Sequence, residues 1–208
     1  MQQLGRLEDL QVGSWITLRA SLSHRGLGSD RTFPVFSGLV VPRFVIGQST
    51  FGFASLSISS RIQNSSYTNL ITSSQLRTYH RVGDVHSIAG RVRFDTVSRS
   101  EDAAQFLLGV DRGLRGYEPR SLDGSRRLLF NLEARPTLYT NPDYVLAAAL
   151  FVDGGRVWSP PASDPYLRIA IGAGARIGLP RVYSTPVIRV DVARGRVWQV
   201  SAAVGHYF

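Results

Sequence analysis

Residues 166–179 read YLRIAIGAGARIGL, and their alternation decides the fold. One set of alternate positions is Leu167, Ile169, Ile171, Ala173, Ala175, Ile177 and Leu179. The other is Tyr166, Arg168, Ala170, Gly172, Gly174, Arg176 and Gly178. A strand sends successive side chains to opposite faces, so this segment has one wholly apolar face and one of small and polar groups. The split recurs upstream, where Leu128, Phe130, Leu132 and Ala134 oppose Arg127, Asn131, Glu133 and Arg135. Further back, Ile88, Val92 and Phe94 oppose Ser87, Arg91, Arg93 and Asp95. Downstream, Trp198, Val200, Ala202, Val204 and Phe208 share one face. Strands are therefore expected near residues 14–22, 37–46, 51–63, 66–80, 83–96, 104–110, 126–139, 144–158, 165–180, 185–194 and 196–208. Turn-rich stretches at 25–30, 98–102, 111–125 and 159–164 separate them. No helical period is present, and no linker divides the chain. The expectation is one all-β domain over 1–208, its pattern clearest beyond residue 50.

Composition narrows the function classes. Hydrophobic residues at 43%, charged residues at 19% and 20 glycines exclude disorder and collagen. All 24 basic residues are arginine and the net charge is +9. These arginines are dispersed along the chain, which argues against a nucleic-acid partner; a clustered set would favour a soluble polyanion-binding β-sandwich. The absence of cysteine excludes a disulfide framework, a thiolate zinc site and a cysteine nucleophile. His24, His80, His86 and His206 lack metal-ligand spacing. No G-x-S-x-G elbow occurs, and Gly172, Gly174 and Gly178 lie inside an alternating strand and open no helix. No catalytic constellation and no cofactor site emerges, so the expectation is a non-enzymatic protein.

Two architectures use such strands. A soluble sandwich buries the apolar face, whereas a membrane barrel turns it to lipid and its polar face to the lumen. Three features favour the antiparallel transmembrane β-barrel. The strands are about ten residues or more, against a soluble mode of about five or six. Tyr139, Tyr144, Trp158, Tyr166, Trp198 and Phe208 gather towards strand ends, as an interfacial girdle requires. The in-strand glycines fall on the polar face, where nothing packs against lipid. No run approaches the roughly 20 apolar residues of a membrane helix; the best, 144–152, is ended by Asp153. Arg6, Glu8 and Asp9 stand where a signal peptide needs an apolar core. An exported protein with this start is expected to be the C-terminal part of a longer chain, or to begin further upstream.

Residues 111–125 read DRGLRGYEPRSLDGS, and about three dozen positions later comes FVDGG at 151–155. Together these resemble the C-terminal barrel of the outer-membrane assembly-factor superfamily, the bacterial surface antigens, to which BamA, TamA and the two-partner secretion transporters belong. The likeness runs over roughly 51–208 and is strongest beyond 104. Its marks are Arg115, Gly116 and Tyr117 at the tip of a loop, then Phe151, Asp153 and Gly155 on a later strand. The third is a last strand carrying Trp198, Val200 and Val204 and ending in Phe208; His206 departs from the usual apolar pattern there. Five strands follow the loop, as in the superfamily. From the residues alone, a guanidinium is a planar fork suited to a carboxylate, so Arg115 can anchor a folded-in loop to an inward-facing acid, Asp153 or Glu133.

What the resemblance implies is a sixteen-stranded barrel in the bacterial outer membrane, of which about eleven strands are placed here, with the first strands and the periplasmic domains missing. It implies insertion and assembly of outer-membrane proteins, or polypeptide translocation as in a two-partner secretion transporter or a lipase-fused relative. The implied partners are outer-membrane lipid and lipopolysaccharide, client outer-membrane or secreted polypeptides, and accessory assembly proteins.

Overall fold

The computed structural model describes residues 13–63, 66–100, 104–161, 166–181 and 187–205. The chain forms β1 (Trp15–Ser23), β2 (Phe33–Val41), β3 (Arg43–Ile46), β4 (Thr50–Gln63), β5 (Ser66–Val82) and β6 (His86–Ser98). Then come β7 (Phe106–Leu108), β8 (Leu122–Gly124), β9 (Arg126–Arg135), β10 (Thr137–Thr140) and β11 (Val145–Trp158). The last three are β12 (Arg168–Gly178), β13 (Ile188–Arg194) and β14 (Trp198–Val204). Twelve strands form one antiparallel sheet in the order β1-β2-β4-β5-β6-β9-β11-β12-β13-β14, with β3 beside β4 and β10 beside β11. Short 3-10 turns at Arg25–Leu27 and Val110–Arg112 are the helical pieces among the described residues.

Two prolines explain why ten rows hold twelve strands. Pro42 separates β2 from β3, and Pro136 separates β9 from β10. Proline brings no N–H to the ladder, so the strand breaks there. Its carbonyl still serves: Ala54 N donates to Pro42 O at 3.0 Å and Ala148 N to Pro136 O at 2.9 Å. Each broken pair therefore runs on along the same neighbour. The strand expected at 37–46 thus starts earlier and is split at Pro42. The one expected at 104–110 is not part of the large sheet. Only Phe106–Leu108 is extended, and it pairs with β8 in a two-stranded ribbon inside the long connection between β6 and β9.

The two faces of the sheet are inverted relative to a soluble domain. We call the face on which residues 104–125 of the β6–β9 connection lie the inner face. On the outer face one row of register partners runs Ile88, Ala134, Leu150, Ala173, Val192 and Val200 across six strands. Leu150 is 58% exposed and Val200 72%, and no second layer covers them among the described residues. Asp95, Arg127, Asn131, Glu133, Arg135, Asp153, Arg176 and Asp191, all inward, are buried. The small apolar core lies on that inner side, where Leu108, Leu114 and Tyr117 of the connection pack on Leu129, Val157 and Ala170. β1 and β14 are the two ends of the strand order, and among the described residues no ladder joins them. His206 and Phe208 lie outside the described residues.

Glycines on the inner face make room for larger neighbours. A Cβ on Gly172 would come within 2.3 Å of the Phe151 ring, and one on Gly174 within 2.3 Å of Asp191 Oδ1. Gly172→Val should therefore destabilise the fold by about 1–3 kcal/mol through overpacking. Ala173→Val, one residue along on the exposed outer face, should stay within about 0.5 kcal/mol. Denaturant unfolding of the two variants compares them directly; equal losses would mean the faces are misassigned.

Candidate functional site

The connection between β6 and β9 is held at its base and at its tip. At the base, Arg127 at the start of β9 donates from Nη1 to Leu107 O at 2.8 Å, fixing β7, and from Nε to Asp95 Oδ2 at 2.8 Å. Asp95 also accepts from Arg93 Nε at 3.0 Å and from the Ser73 hydroxyl. Between base and tip the backbone closes on itself: Leu114 N donates to Gly109 O at 2.9 Å and Val110 N to Tyr117 O at 3.2 Å. Self-closure leaves 113–117 as a compact knuckle, every residue of it buried.

Arg115 is the centre of that knuckle. Its side chain is fully buried, and it meets Asp153 in a two-pronged pair, Nε to Oδ2 at 2.7 Å and Nη2 to Oδ1 at 2.9 Å. Nη1 reaches Glu133 Oε2 at 3.1 Å and Asp191 Oδ2 at 3.4 Å. The guanidinium carbon lies 3.3 Å from the centre of the Phe151 ring, a cation–π contact that adds to the ion pairs. Burial alone would lower the Arg115 pKa. The hydrogen bond to Asp153 and the charges of Asp153, Glu133 and Asp191 outweigh it and raise the pKa above the ordinary arginine value.

Three carboxylates around one guanidinium would leave net buried charge, and the strands supply the balance. Arg176 on β12 donates from Nη2 to Glu133 Oε1 at 3.0 Å and from Nη1 to Asp191 Oδ1 at 2.6 Å. Arg135 Nε bonds Glu133 Oε1 at 2.8 Å, and Arg189 Nη1 bonds Asp191 Oδ2 at 2.7 Å. Asn131 ties the network to the loop backbone, donating to Asp153 Oδ1 at 2.6 Å and to Gly113 O at 2.8 Å. Asn131 Oδ1 in turn accepts from Arg91 Nη2 at 2.6 Å. Antiparallel register creates this convergence, since Asp153 faces Asn131 and Phe151 faces Glu133 across the β9–β11 ladder.

Gly116 and Tyr117 dock the tip on the β13–β14 turn. Gly116 has φ of 75°, which favours glycine, and a Cβ there would meet Gly195 N at 2.5 Å. Its N–H donates to Gln199 Oε1 at 2.8 Å, while its carbonyl accepts from Val197 N at 3.0 Å. The Tyr117 hydroxyl donates to Ile169 O at 3.2 Å, and its ring covers Gly195. Gly155 leaves space for Leu108 of the loop, 2.6 Å from where a Cβ would stand.

The structure thus brings Arg115, Gly116, Tyr117, Phe151, Asp153, Gly155 and Glu133 together. Trp198, Val200 and Val204 stand apart, on the outer face of β14 at 70%, 72% and 65% exposure. Sequence reasoning did not single out Arg176, Asp191, Asn131 or Gln199. Parity placed Arg176 and Asn131 on the polar face, but only strand register shows which polar residues meet. No group of histidine and carboxylate side chains among the described residues is placed to hold a metal ion; the three acids converge on a guanidinium. The chain matches no protein-family model, and no curated protein matches it.

Removing one member of this network strands its partners. Arg115→Ala should cost about 3–5 kcal/mol, because three buried carboxylates lose a shared cation. It should also release the knuckle, making the bonds after Arg112 and Arg120 cleavable by trypsin under native conditions. Arg115→Lys keeps the charge without the fork and should remain susceptible. Protection equal to that of the unaltered protein in both variants would show that the knuckle is held by something else.

Proposed function

We propose that this chain forms the wall of an outer-membrane β-barrel of the surface-antigen type, acting in insertion of outer-membrane proteins or in passage of a polypeptide across the outer membrane. The observation that carries the reading is the inverted distribution of side chains: an uncovered apolar face, and a buried ionic network under a folded-in loop. In water such a sheet would expose rows of leucine, isoleucine and valine with nothing to cover them. In a bilayer the same face is the correct one to present. A soluble sandwich would place a second layer over Leu150 and Val200, and a polyanion-binding surface would leave its arginines unpaired by acids. Arg115, Arg135, Arg176 and Arg189 instead share Glu133, Asp153 and Asp191.

Dimensions agree. On the outer face of β11 the residues from Leu146 to Gly154 carry no charge, and Arg156, ten steps beyond Leu146, ends that span. Those ten steps measure roughly 34 Å along the strand. At a tilt of about 40° they give a height of roughly 26 Å, against about 25 Å for the apolar band of such barrels. Lipid leaves no strand edge unpaired, so in the membrane the edges at β1 and β14 are joined to each other or to further strands. A weakly paired seam at β14 is where a client strand would add to the sheet, its backbone completing the ladder. The Arg115 knuckle would keep the lumen shaped beside that seam, through Gly116 and Gln199.

The test begins with the full-length parent. Recovery in the outer-membrane fraction, with a heat-dependent gel shift, is expected; recovery in a soluble fraction without the shift contradicts the proposal. Leu150→Arg sharpens it. At an aqueous surface that change is nearly neutral. Near the bilayer midplane it should cost about 2–4 kcal/mol, read as a loss of folded barrel in vesicles.

A further inference from the structure

Four arginines around the knuckle, Arg115, Arg135, Arg176 and Arg189, are taken by carboxylates, and Arg43, Arg61 and Arg77 elsewhere on the inner face lie over aromatic rings. On the outer face of the large sheet, among the described residues, Arg126, Arg156 and Arg194 are the only charged side chains within strands. All three stand at the end where the loop emerges: Arg126 opens β9, Arg156 is two residues from the end of β11, and Arg194 closes β13. The outer positions at the opposite ends of β9, β11 and β13 carry Ala134, Leu146 and Ile188 instead. None of the three has an acidic partner among the described residues.

Aromatic rings accompany them. Arg156 lies 4.8 Å from the Trp158 ring centre and Arg194 5.4 Å from that of Trp198. Trp158 faces Arg126 across the β9–β11 ladder. Just beyond β6, Arg99 sits 3.8 Å over the Tyr67 ring at the same end. The Arg156 Nε atom is buried and donates no hydrogen bond. A ring beside a guanidinium attracts its charge but accepts none of the hydrogen bonds a carboxylate would take, so at Arg156 and Arg194 donor capacity is left for a partner at this end of the sheet.

We infer that this rim is a docking surface for the phosphates of anionic lipid head groups, on the side of the membrane where the loop end lies. The inference rests on the barrel reading. Charge complementarity selects the occupant. The site offers unpaired guanidinium forks in a ring of tryptophan and tyrosine directly above a band of hydrocarbon-facing side chains. A lipid phosphate lies at that height, with its own acyl chains against Leu128, Val152 and Ile171. A guanidinium binds phosphate bidentately, and the cost of an uncompensated cation beside hydrocarbon disappears when it does.

The full chain is folded into phosphatidylcholine vesicles with or without lipid A, a phosphorylated glycolipid, and its unfolding temperature is followed by the heat-dependent gel shift. Lipid A should raise the midpoint of the unaltered protein. The triple variant R126Q/R156Q/R194Q should fold equally well in phosphatidylcholine but lose most of that rise. R19Q/R77Q, which removes inward-facing arginines, should keep it. Equal rises in the triple variant and the unaltered protein would overturn the rim and leave the barrel intact. A rise reproduced by inorganic phosphate would overturn the lipid assignment. Cross-linking between chains that the triple variant abolishes, without any lipid A effect, would give the rim to a second copy. Failure to insert into either vesicle would overturn both the rim and the barrel.

Discussion

A single guanidinium, buried and shared among three carboxylates on three strands, organises the inner side of this protein. Arg115 joins Asp153 on β11, Glu133 on β9 and Asp191 on β13. Taking an arginine from water costs several kcal/mol and is tolerated only with excellent geometry and full pairing. Everything around it serves that condition. Phe151 lies under the guanidinium, Gly172 makes room for Phe151, and Arg176 balances the two acids that Arg115 only half satisfies. Among the described residues, this is the spot on the sheet where three acids meet one arginine, which fixes the place of the knuckle. Such specificity of position is the best-supported use of a buried ionic network.

From this follows the inversion of the fold. A soluble sheet drives its apolar face inward, and its polar groups remain wet. Here the polar groups are enclosed by the loop, and the apolar groups are left on the open side. In the barrel we propose, that open side would face lipid, where apolar side chains cost nothing to present. Around the knuckle Arg115, Arg135, Arg176 and Arg189 pair with acids, whereas at the outer rim Arg156 and Arg194 lie beside tryptophan rings. The expectation that in-strand glycines keep to the polar face holds for Gly172 and Gly174 but not for Gly90 and Gly154, which lie on the outer face. Phe151 over Gly172 on the inner side and Phe130 over Gly154 on the outer are large-over-small pairs across adjacent strands, which fill the hollow that a missing side chain leaves.

Much of this was legible in the order of residues, and the reasons for the rest are specific. Period-two alternation in 166–179 and 126–135 identified the strands and their faces, because a strand's side-chain period is fixed by backbone geometry. The motif at 115–117 and its partner at 151–155 were legible through the resemblance to the surface antigens, and alternation put Asp153 and Glu133 on the polar face, where a guanidinium can pair with them. Arg176, Asp191 and Gln199 were not, since their roles depend on which strands become neighbours and in what register. The strand expected at 104–110 was misjudged: FLLGV reads as a wall strand, yet it belongs to a ribbon within the loop, where the sheet's ladder is already complete between β6 and β9. Proline breaks at Pro42 and Pro136 were likewise invisible to alternation, which passes through them.

The protein contains no cysteine, so single cysteines can be placed along β11 without background, and their surroundings read by spin labelling in vesicles. Labels at the outer positions 146, 148, 150 and 152 should collide with dissolved oxygen and be shielded from a water-soluble nickel reagent. Labels at the inner positions 149 and 151 should be inaccessible to both, buried under the loop. Nickel access equal to that of a surface loop at 150 and 152 would contradict the account, because it would put water where the proposed barrel places lipid.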